Sequence, residues 1–297
     1  MKEHPSARTA RLLRLATNAS VATALILIVV KLVAWLLSDA VSILASLVDS
    51  MMDAVTSVIN LVAVRYSLTP ADDEHRFGHG KAESLAALGQ SAFIVGSAVF
   101  LVLHATERLI HPVPLQQVRL GIGVIVFATV ITLMLLALQR YVIRETQSDA
   151  IRADSLHYTS DVLVNLSVIA ALLFSTIGWQ HADALFGIAV AGYICWGAWQ
   201  IGSSAVNALM DRELPEEIQL RLRGIATSHP GVHGVHEMRT RRSGRDYFVQ
   251  MHLEFDDAMP LVEAHAIGDS VEASIRNEFP NADVLIHHDP VSAGSEA

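Results

Sequence analysis

The sequence is poor in charged residues and in cysteine. Lys, Arg, Asp and Glu make up 17% of the 297 residues, whereas hydrophobic residues make up 52%. The single cysteine, Cys195, cannot form an internal disulfide, and we interpret it as a small buried or lipid-facing residue. This balance is typical of a protein that crosses a membrane several times.

Motifs for several kinds of chemistry are also missing. No glycine-rich loop ends in Lys-Ser or Lys-Thr, so nothing indicates ATP as an energy source. His236-Glu237 lacks the second histidine of a zinc-protease helix, and no nucleophile elbow around a serine occurs. A net charge of −9 leaves no basic footprint for nucleic acid. These absences argue against an enzyme and against a nucleic-acid-binding protein.

Six apolar runs are long enough to cross roughly 30 Å of hydrocarbon. They predict a six-helix transmembrane domain over residues 15–208, preceded by a tail at 1–14. The first run follows a basic tail but lacks a cleavage site, so it reads as a span and not as a signal peptide. The runs are Leu15–Leu37, Ala40–Tyr66, Leu85–Ile110, Val118–Tyr141, Ala150–Ile177 and Ala182–Ala208.

Two of these spans carry pairs of ionisable residues. Asp49 and Asp53 lie in the second, and His157 and Asp161 in the fifth, each pair one helical turn apart on one face. A charge inside a bilayer costs about 3 kcal/mol even on a lenient scale, so these groups need a partner. Both pairs reach similar depth, and three carboxylates with one imidazole suit Zn²⁺, with Cd²⁺, Fe²⁺ or Co²⁺ as alternatives. Structural pairing with backbone or basic groups is the other interpretation.

A second group of donors lies between spans two and three. Asp72, His75 and His79 are spaced so that one turn brings them together, and Gly78 and Gly80 permit a tight backbone. They form either a second, more exposed metal site or a solvated acidic loop with incidental histidines.

Residues 209–290 read as a small soluble domain of the α+β class. Pro215–Ser228 and Leu261–Phe279 have helical periodicity, and Gly244 marks a hairpin turn between two alternating runs. With the last strand, Asp283–His288, the order is αββαβ, which predicts a sheet covered by helices on one face. The tail at 291–297 is predicted to be disordered.

This domain is rich in histidine. His252 lies on a predicted strand, His265 on a helix, and His287 and Asp289 at the end of another strand, so they can meet on one surface. Two neighbouring metals bridged by a carboxylate would need about this supply of ligands. His229 and His233 flank Pro230-Gly231 and are read as loop residues.

Lys and Arg set the expected orientation. They are concentrated in the N-terminal tail and in the loops near Arg76 and Arg144, whereas the connections at 38–39 and 178–181 have none. By the positive-inside rule both termini are cytoplasmic. Lys31 lies within span one, where it either snorkels outward or pairs inside the bundle.

The two ionisable pairs, six spans and an αββαβ domain together resemble the cation diffusion facilitators. The runs 72–83, 236–241 and 284–290 resemble most the zinc and ferrous-iron efflux pumps of the bacterial inner membrane. The resemblance implies a homodimer in the lipid bilayer that exchanges cytoplasmic metal for external protons, with a metallochaperone-like C-terminal domain.

Ligand sets follow from the same resemblance. It assigns Asp49, Asp53, His157 and Asp161 to the transport site, and Asp72, His75 and His79 to the loop site. A two-metal site in the C-terminal domain takes His236, His252, His265, His287 and Asp289. His288 contributes its backbone carbonyl or nothing, since a non-histidine can stand there in relatives.

The sequence therefore predicts proton-coupled efflux of Zn²⁺, or of Cd²⁺ or Fe²⁺, regulated by metal binding to the cytoplasmic domain. His157 is the natural coupling group, because its ordinary pKa lies nearest neutrality. Leu156 is a candidate for a hydrophobic gate, and Lys81 with Asp211 for a salt bridge between subunits. The alternatives are a metal-sensing receptor and an uncoupled divalent-cation channel.

Overall fold

The computed structural model describes residues 5–38, 41–110, 119–175 and 181–294. The predicted connections near 39–40, 111–118 and 176–180, and both extreme chain ends, lie outside these residues. By its internal contacts the chain divides into two compact units. The first comprises 1–70 and 82–206, and the second comprises 71–81 and 207–297.

Six long helices make up the first unit, as the apolar runs predict. Counted over the described residues, five of them are long and apolar enough to cross a membrane. The exception is α5, which carries Asp154, His157 and Asp161 and whose polar side chains are expected to face the inside of the bundle. The helices are α1 (Pro5–Ser38), α2 (Val41–Ser67), α3 (Lys81–Ile110), α4 (Arg119–Thr146), α5 (Asp149–Ser175) and α6 (Ala182–Leu209).

Helices α1, α2, α4 and α5 share a core at one end of the bundle. Leu13, near the start of α1, belongs to one cluster with Val64 and Val142, near the ends of α2 and α4, and with Ile151, near the start of α5. Helices α1 and α5 therefore run in one direction, and α2 and α4 run in the opposite direction. We call this end the proximal end, and the end where α1 stops and α2 begins the distal end.

Small residues line the contact between α3 and α6. A side chain added at Gly187 would meet Ala105, and one at Gly202 would meet Ser91. Small residues allow two membrane helices to approach closely. The cluster at this contact is Ile94, Ala98, Ala191, Ile194 and Ala198.

The second unit confirms the predicted αββαβ order. Strands β1 and β2 pair antiparallel around Gly244, which has a φ of +58°, and β3 pairs parallel to β2. A bulge interrupts the pairing between His236 and Arg239. The elements are α7 (Glu216–Thr227), β1 (Gly234–Ser243), β2 (Asp246–Phe255), α8 (Leu261–Glu278) and β3 (Ala282–Pro290).

One face of this sheet is apolar and packs against the two helices. Alternate residues of β2 are buried, ending with Leu253 and Phe255. They share a core with Leu222 of α7 and with Val271 and Ile275 of α8. The other face of the sheet is left for the polar side chains of the histidine-rich strands.

The segment 71–81 belongs to the second unit, although it lies between α2 and α3 in the sequence. Phe77 meets Phe248 edge to face with ring centroids 5.5 Å apart, and the Arg241 guanidinium lies 4.6 Å and 4.7 Å from the two ring centroids. Gly80 lies against the hairpin turn, where an added Cβ would come within 2.4 Å of the Ser243 carbonyl oxygen. We therefore describe this loop with the soluble domain, whereas the sequence boundaries predicted it within the membrane domain.

The C-terminal tail departs from its expected disorder over the residues that are described. Val291–Gly294 form a short helix, α9. The backbone N–H of Ser292 donates to the Asp257 carboxylate at 3.0 Å, which holds the chain against the domain.

Candidate metal centres

Three potential metal ligands lie close together inside the bundle. The His157 Nε2 atom lies 3.0 Å from Oδ1 of Asp53, and one ligand atom each of Asp53, His157 and Asp161 lie within 4.8 Å of one another. Asp53 and His157 are 6% and 7% exposed, so water cannot fully solvate these groups. The i, i+4 spacing on α5 and the antiparallel packing of α2 bring together three of the four residues predicted for this site.

The fourth predicted ligand, Asp49, lies one turn from Asp53 along α2 and is exposed. It is not part of the three-donor cluster. Asp49, Asp53, His157 and Asp161 nevertheless line one cavity of about 600 Å³. Most of the lining residues come from the distal halves of their helices, so we call it the distal cavity.

A basic residue also lines the distal cavity. Lys31 of α1 is 8% exposed, and its Nζ donates to the Ser46 carbonyl oxygen at 3.0 Å and to the Ser50 hydroxyl at 2.6 Å. Of the two positions that the sequence left open for Lys31, the structure shows the one inside the bundle.

Leu156 and its neighbour His157 line different cavities along α5. Leu156 lines a cavity of about 290 Å³ in the proximal half, together with Arg140 and Arg152, whereas His157 lines the distal cavity. A Cβ at Gly197 of α6 would come within 2.9 Å of Leu156, so this glycine makes room for the leucine.

A buried carboxylate below the cluster escaped the sequence prediction. Asp154, one turn before His157, is fully buried and accepts hydrogen bonds from Ser20 Oγ at 2.6 Å, Gln139 Nε2 at 2.7 Å and Gln90 Nε2 at 3.2 Å. These donors come from α1, α4 and α3. The available signal was a third acidic residue on α5 together with two glutamines inside apolar spans.

The loop donors lie together as predicted. Asp72 Oδ1 lies 3.4 Å from His75 Nδ1, and Oδ2 lies 3.3 Å from His79 Nε2. The backbone N–H of His75, with that of Glu74, donates to Asp72 and lowers the pKa of its carboxyl. Gly78 adopts a φ of +76°, the left-handed conformation that the tight loop requires.

Three histidines form a row across the soluble-domain sheet. His252 is the register partner of His236 on β1 and of His287 on β3. The Asp289 carboxylate reaches all three, at 3.2 Å from His236, 2.8 Å from His252 and 3.0 Å from His287. Burial acts to raise the pKa of Asp289, but the hydrogen bond from His252 and the charges of the nearby histidines lower it overall.

Two acidic residues near this row were not predicted as ligands. Glu254 Oε1 lies 2.8 Å from His236 Nδ1. Glu237, at the bulge, has a φ of +43° and lies 3.9 Å from His252. The alternation of β1 and β2 was the available signal, but the bulge shifts the register that would have placed Glu237.

His265 lies apart from the row within one chain. Its Nε2 is 3.7 Å from Asp269 of the same helix, and its ring centroid is 6.2 Å from that of His288. His288 stacks on Phe255, and its buried Nε2 has no hydrogen-bond partner among the residues that the structure describes. Burial, reinforced by the charges of His265 and His287, lowers the pKa of His288.

Lys81 and Asp211 form an ion pair within one chain. Nζ lies 2.9 Å from Oδ1 of Asp211, and Arg241 approaches the same oxygen at 3.4 Å. The sequence proposed this pair between subunits, whereas in the structure the two residues pair within one chain.

Comparison with known proteins covers nearly the whole chain. Residues 18–210 match the family model described as the cation efflux transmembrane domain, and 214–291 match that of the cation efflux protein cytoplasmic domain, which is named for dimerisation. The cation-efflux pump FieF of Salmonella arizonae is 51% identical over 282 residues, covering 95% of this chain and 94% of that protein. The same pump of Salmonella agona gives the same values.

Two solved structures cover about a quarter of the chain. CzrB in its zinc form is 31% identical, with 28% of this chain and 94% of that chain covered and a TM-score of 0.27. A nickel form of the MamM CTD is 26% identical, with 26% and 98% covered and a TM-score of 0.25.

Proposed function

The chain belongs to the cation efflux family, and on that premise we propose that it exports Zn²⁺ from the cytoplasm in exchange for protons. The observation that carries the proposal is the Asp53–His157–Asp161 cluster at the base of the distal cavity. Carboxylate and imidazole donors suit Zn²⁺ and Cd²⁺, and they also accept Fe²⁺.

Asp49 is the fourth ligand in this proposal. It lies one turn from Asp53 on the same face of α2 and lines the same cavity. A change of its side-chain rotamer toward His157 would complete a four-coordinate site. Asp49, which lies outside the three-residue cluster, would then be the first ligand to dissociate from a departing ion.

Protons and metal compete for the same atoms. Zn²⁺ binds neutral imidazole and ionised carboxylates, so loading of the site expels protons and protonation expels the metal. His157 contributes most near neutral pH, because an imidazole ordinarily titrates there. The exchange therefore uses the proton gradient, with no ATP-binding motif required.

The transport cycle needs the site to face each side in turn. The structure has the distal cavity on one side of the cluster and the Leu156 contact with Gly197 on the other. We assign the distal end to the periplasm of the inner membrane and both termini to the cytoplasm, following the distribution of Lys and Arg. Movement of α5 that withdraws Leu156 would open the proximal path.

The cytoplasmic sites give the transporter a sensor in this proposal. The loop cluster and the histidine row belong to the same compact unit, in which residues 214–291 match the family model named for dimerisation. Metal bound there would favour one arrangement of a homodimer and make efflux respond to cytoplasmic zinc.

The test measures Zn²⁺ and pH together in proteoliposomes with an acidic lumen. Parent protein should take up Zn²⁺ while the lumen becomes less acidic. Asp53→Ala should reduce uptake to the protein-free background, whereas Asp73→Ala, at an exposed carboxylate of the loop, should transport normally.

Two results would contradict the proposal. Full uptake by Asp53→Ala would remove the cluster from the transport path. Zn²⁺ flux down its gradient without any change of lumenal pH would identify an uncoupled channel.

A further inference from the structure

A lysine occupies a cavity that is built to receive a cation. Lys31 lines the distal cavity with Asp49, Asp53, His157 and Asp161. An ammonium group is costly to bury and is rarely fully buried without a partner of opposite charge. Its presence at a metal site therefore needs a reason beyond packing.

The described hydrogen bonds of Lys31 use two of its donors and do not balance its charge. Both acceptors, the Ser46 carbonyl and the Ser50 hydroxyl, are neutral oxygens of α2. Two of the three ammonium donors are used in this way. The balancing negative charge must come from elsewhere in the cavity.

The nearby carboxylates supply that charge. Asp49 and Asp161 line the same cavity as Lys31. The hydrogen bonds to Ser46 and Ser50 hold Nζ against α2, the helix that also carries Asp49. The lysine is thus tethered within electrostatic range of two transport-site acids.

We propose that Lys31 is a resident counter-cation of the transport site, which lowers its affinity for metal while the distal cavity is open and so favours release. The inference rests on the proposed transport function. A divalent ion in the cluster is repelled by the fixed ammonium, and after the ion leaves, the ammonium still balances part of the carboxylate charge. The repulsion therefore favours release of the metal into the distal cavity.

A simpler role would be a tether between α1 and α2. Three substitutions separate the two roles. Lys31→Gln removes the charge but keeps hydrogen-bond donors, Lys31→Arg keeps both, and Lys31→Met removes both. If the charge of Lys31 matters, Lys31→Gln should have the same Zn²⁺ affinity as Lys31→Met. If the hydrogen bonds matter, Lys31→Gln should have the same affinity as Lys31→Arg.

The first experiment measures Zn²⁺ affinity by isothermal titration calorimetry on the full-length protein in detergent. His79→Ala and His252→Ala are present in every sample, so that the loop and soluble-domain sites do not contribute, and Asp53→Ala in this background defines the loss of the transmembrane site. Lys31→Gln should bind Zn²⁺ more tightly on the order of tenfold. Lys31→Arg should stay within about twofold of the parent.

Unchanged or weaker binding by Lys31→Gln overturns the inference, and so does an Arg variant that behaves like Gln. Lys31→Gln and Lys31→Arg decide the question even where Lys31→Met fails to fold. Because the measurement is of binding, it stands whether or not the protein couples Zn²⁺ to protons.

The second experiment follows transport. In proteoliposomes Lys31→Gln should lower both the KM for Zn²⁺ and the maximal rate, because tighter binding slows release. A parent protein without proton-coupled uptake would contradict the proposed function, whereas an active parent with a Gln variant of unchanged KM and rate would contradict only the role of Lys31.

Discussion

A carboxylate outside the proposed ligand set holds α5 in place. Asp154 lies one turn before His157 and accepts hydrogen bonds from α1, α3 and α4. In the next turn Tyr158 donates to the Ser20 carbonyl oxygen at 3.1 Å and lies 2.9 Å from the Ser57 hydroxyl of α2. These bonds fix the proximal part of α5, and with it the height and rotation of His157.

Replacing Asp154 by Ala should strongly destabilise the bundle. Three buried donors would lose their acceptor, at about 1–3 kcal/mol for each one left unsatisfied. We expect the melting temperature of the protein in detergent to fall by roughly 5–15 °C. Asp154→Asn should lower the melting temperature less. The Oε1 atom of Gln90 has no hydrogen-bond partner among the described residues, and a flip of the Gln90 amide would turn this oxygen toward the new NH₂ group of the asparagine.

The exposed Asp73→Ala serves as the control for this series and should leave the melting temperature unchanged within error. A parental melting temperature in Asp154→Ala would show that the buried hydrogen bonds do not hold α5.

Spacing within one helix was enough to predict which ionisable residues share a face in the bundle. Ionisable residues at i and i+4 share a face whatever the neighbouring helices do, so Asp53, His157 and Asp161 could be found from the sequence. The roles of Asp154 and Lys31 could not, because each depends on partners from other helices. Which residues face one another across a bundle is decided by packing, not by local periodicity.

At the scale of elements, strand register builds the soluble-domain cluster. Neighbouring strands lie about 4.8 Å apart, so residues in register across three strands present their side chains side by side. His252, on the central strand, has His236 on one side and His287 on the other. The sequence predicted the strands and their order, but the register depends on the bulge after His236 and could not be read from alternation.

Replacement of His252, the central histidine of the row, should remove bound zinc from this cluster. In His252→Ala the zinc content, measured by mass spectrometry on purified protein, should fall by at least about one ion per chain. His229→Ala is the matched control, because its two ring nitrogens already contact the Ile225 carbonyl at 2.9 Å and the Ser274 hydroxyl at 3.1 Å. Equal zinc content in the two variants would argue against a metal site at the row.

The loop at 71–81 is held by close approach of two backbones. Gly80 faces the Ser243–Gly244 turn, and any side chain there would overlap the hairpin backbone. The sequence indicated that Gly80 permits a tight loop. In the structure, residue 80 must be a glycine because it contacts a hairpin more than 160 residues away in the chain. No local sequence pattern reveals such a contact.

Gly80→Ala should release this loop from the hairpin. Hydrogen exchange of the amides in 71–81 should become faster, and Zn²⁺ binding by Asp72, His75 and His79 should weaken as their geometry is lost. Gly89→Ala on α3 adds the same methyl group where nothing lies within 4 Å, so it should leave exchange in 71–81 unchanged. Normal protection in Gly80→Ala would show that the loop tolerates the displacement.

At the scale of the whole molecule, two predicted metal sites fall within one compact unit. The loop site is placed between two membrane helices by the sequence, yet it packs with the soluble domain. Domain boundaries drawn from hydropathy separate apolar from polar stretches, and they cannot show which polar stretches fold together. The ion pair of Lys81 with Asp211 lies in this same unit, at the junctions where the chain leaves and re-enters the membrane domain.

This ion pair should make stability depend on pH. Burial acts to raise the pKa of Asp211, but the hydrogen bond and charge of Lys81, together with Arg241, lower it overall. A carboxyl with a lowered folded-state pKa stabilises the fold fully at pH above its unfolded value of about 3.9, and the contribution is lost as pH falls through the folded value.

Asp211→Asn removes the charge while keeping a residue that accepts the positive φ of 55° at this position. At pH 6 to 7 the variant should melt up to about 3 °C below the parent, a small shift because the pair is partly exposed. The gap should close as the pH is lowered past 4, because the parent then loses the same charge. Lys81→Gln should reproduce the profile, and combining the two substitutions should add little, since both break one interaction. A gap that stays constant down to pH 3 would mean that Asp211 acts through its backbone conformation and not through its charge.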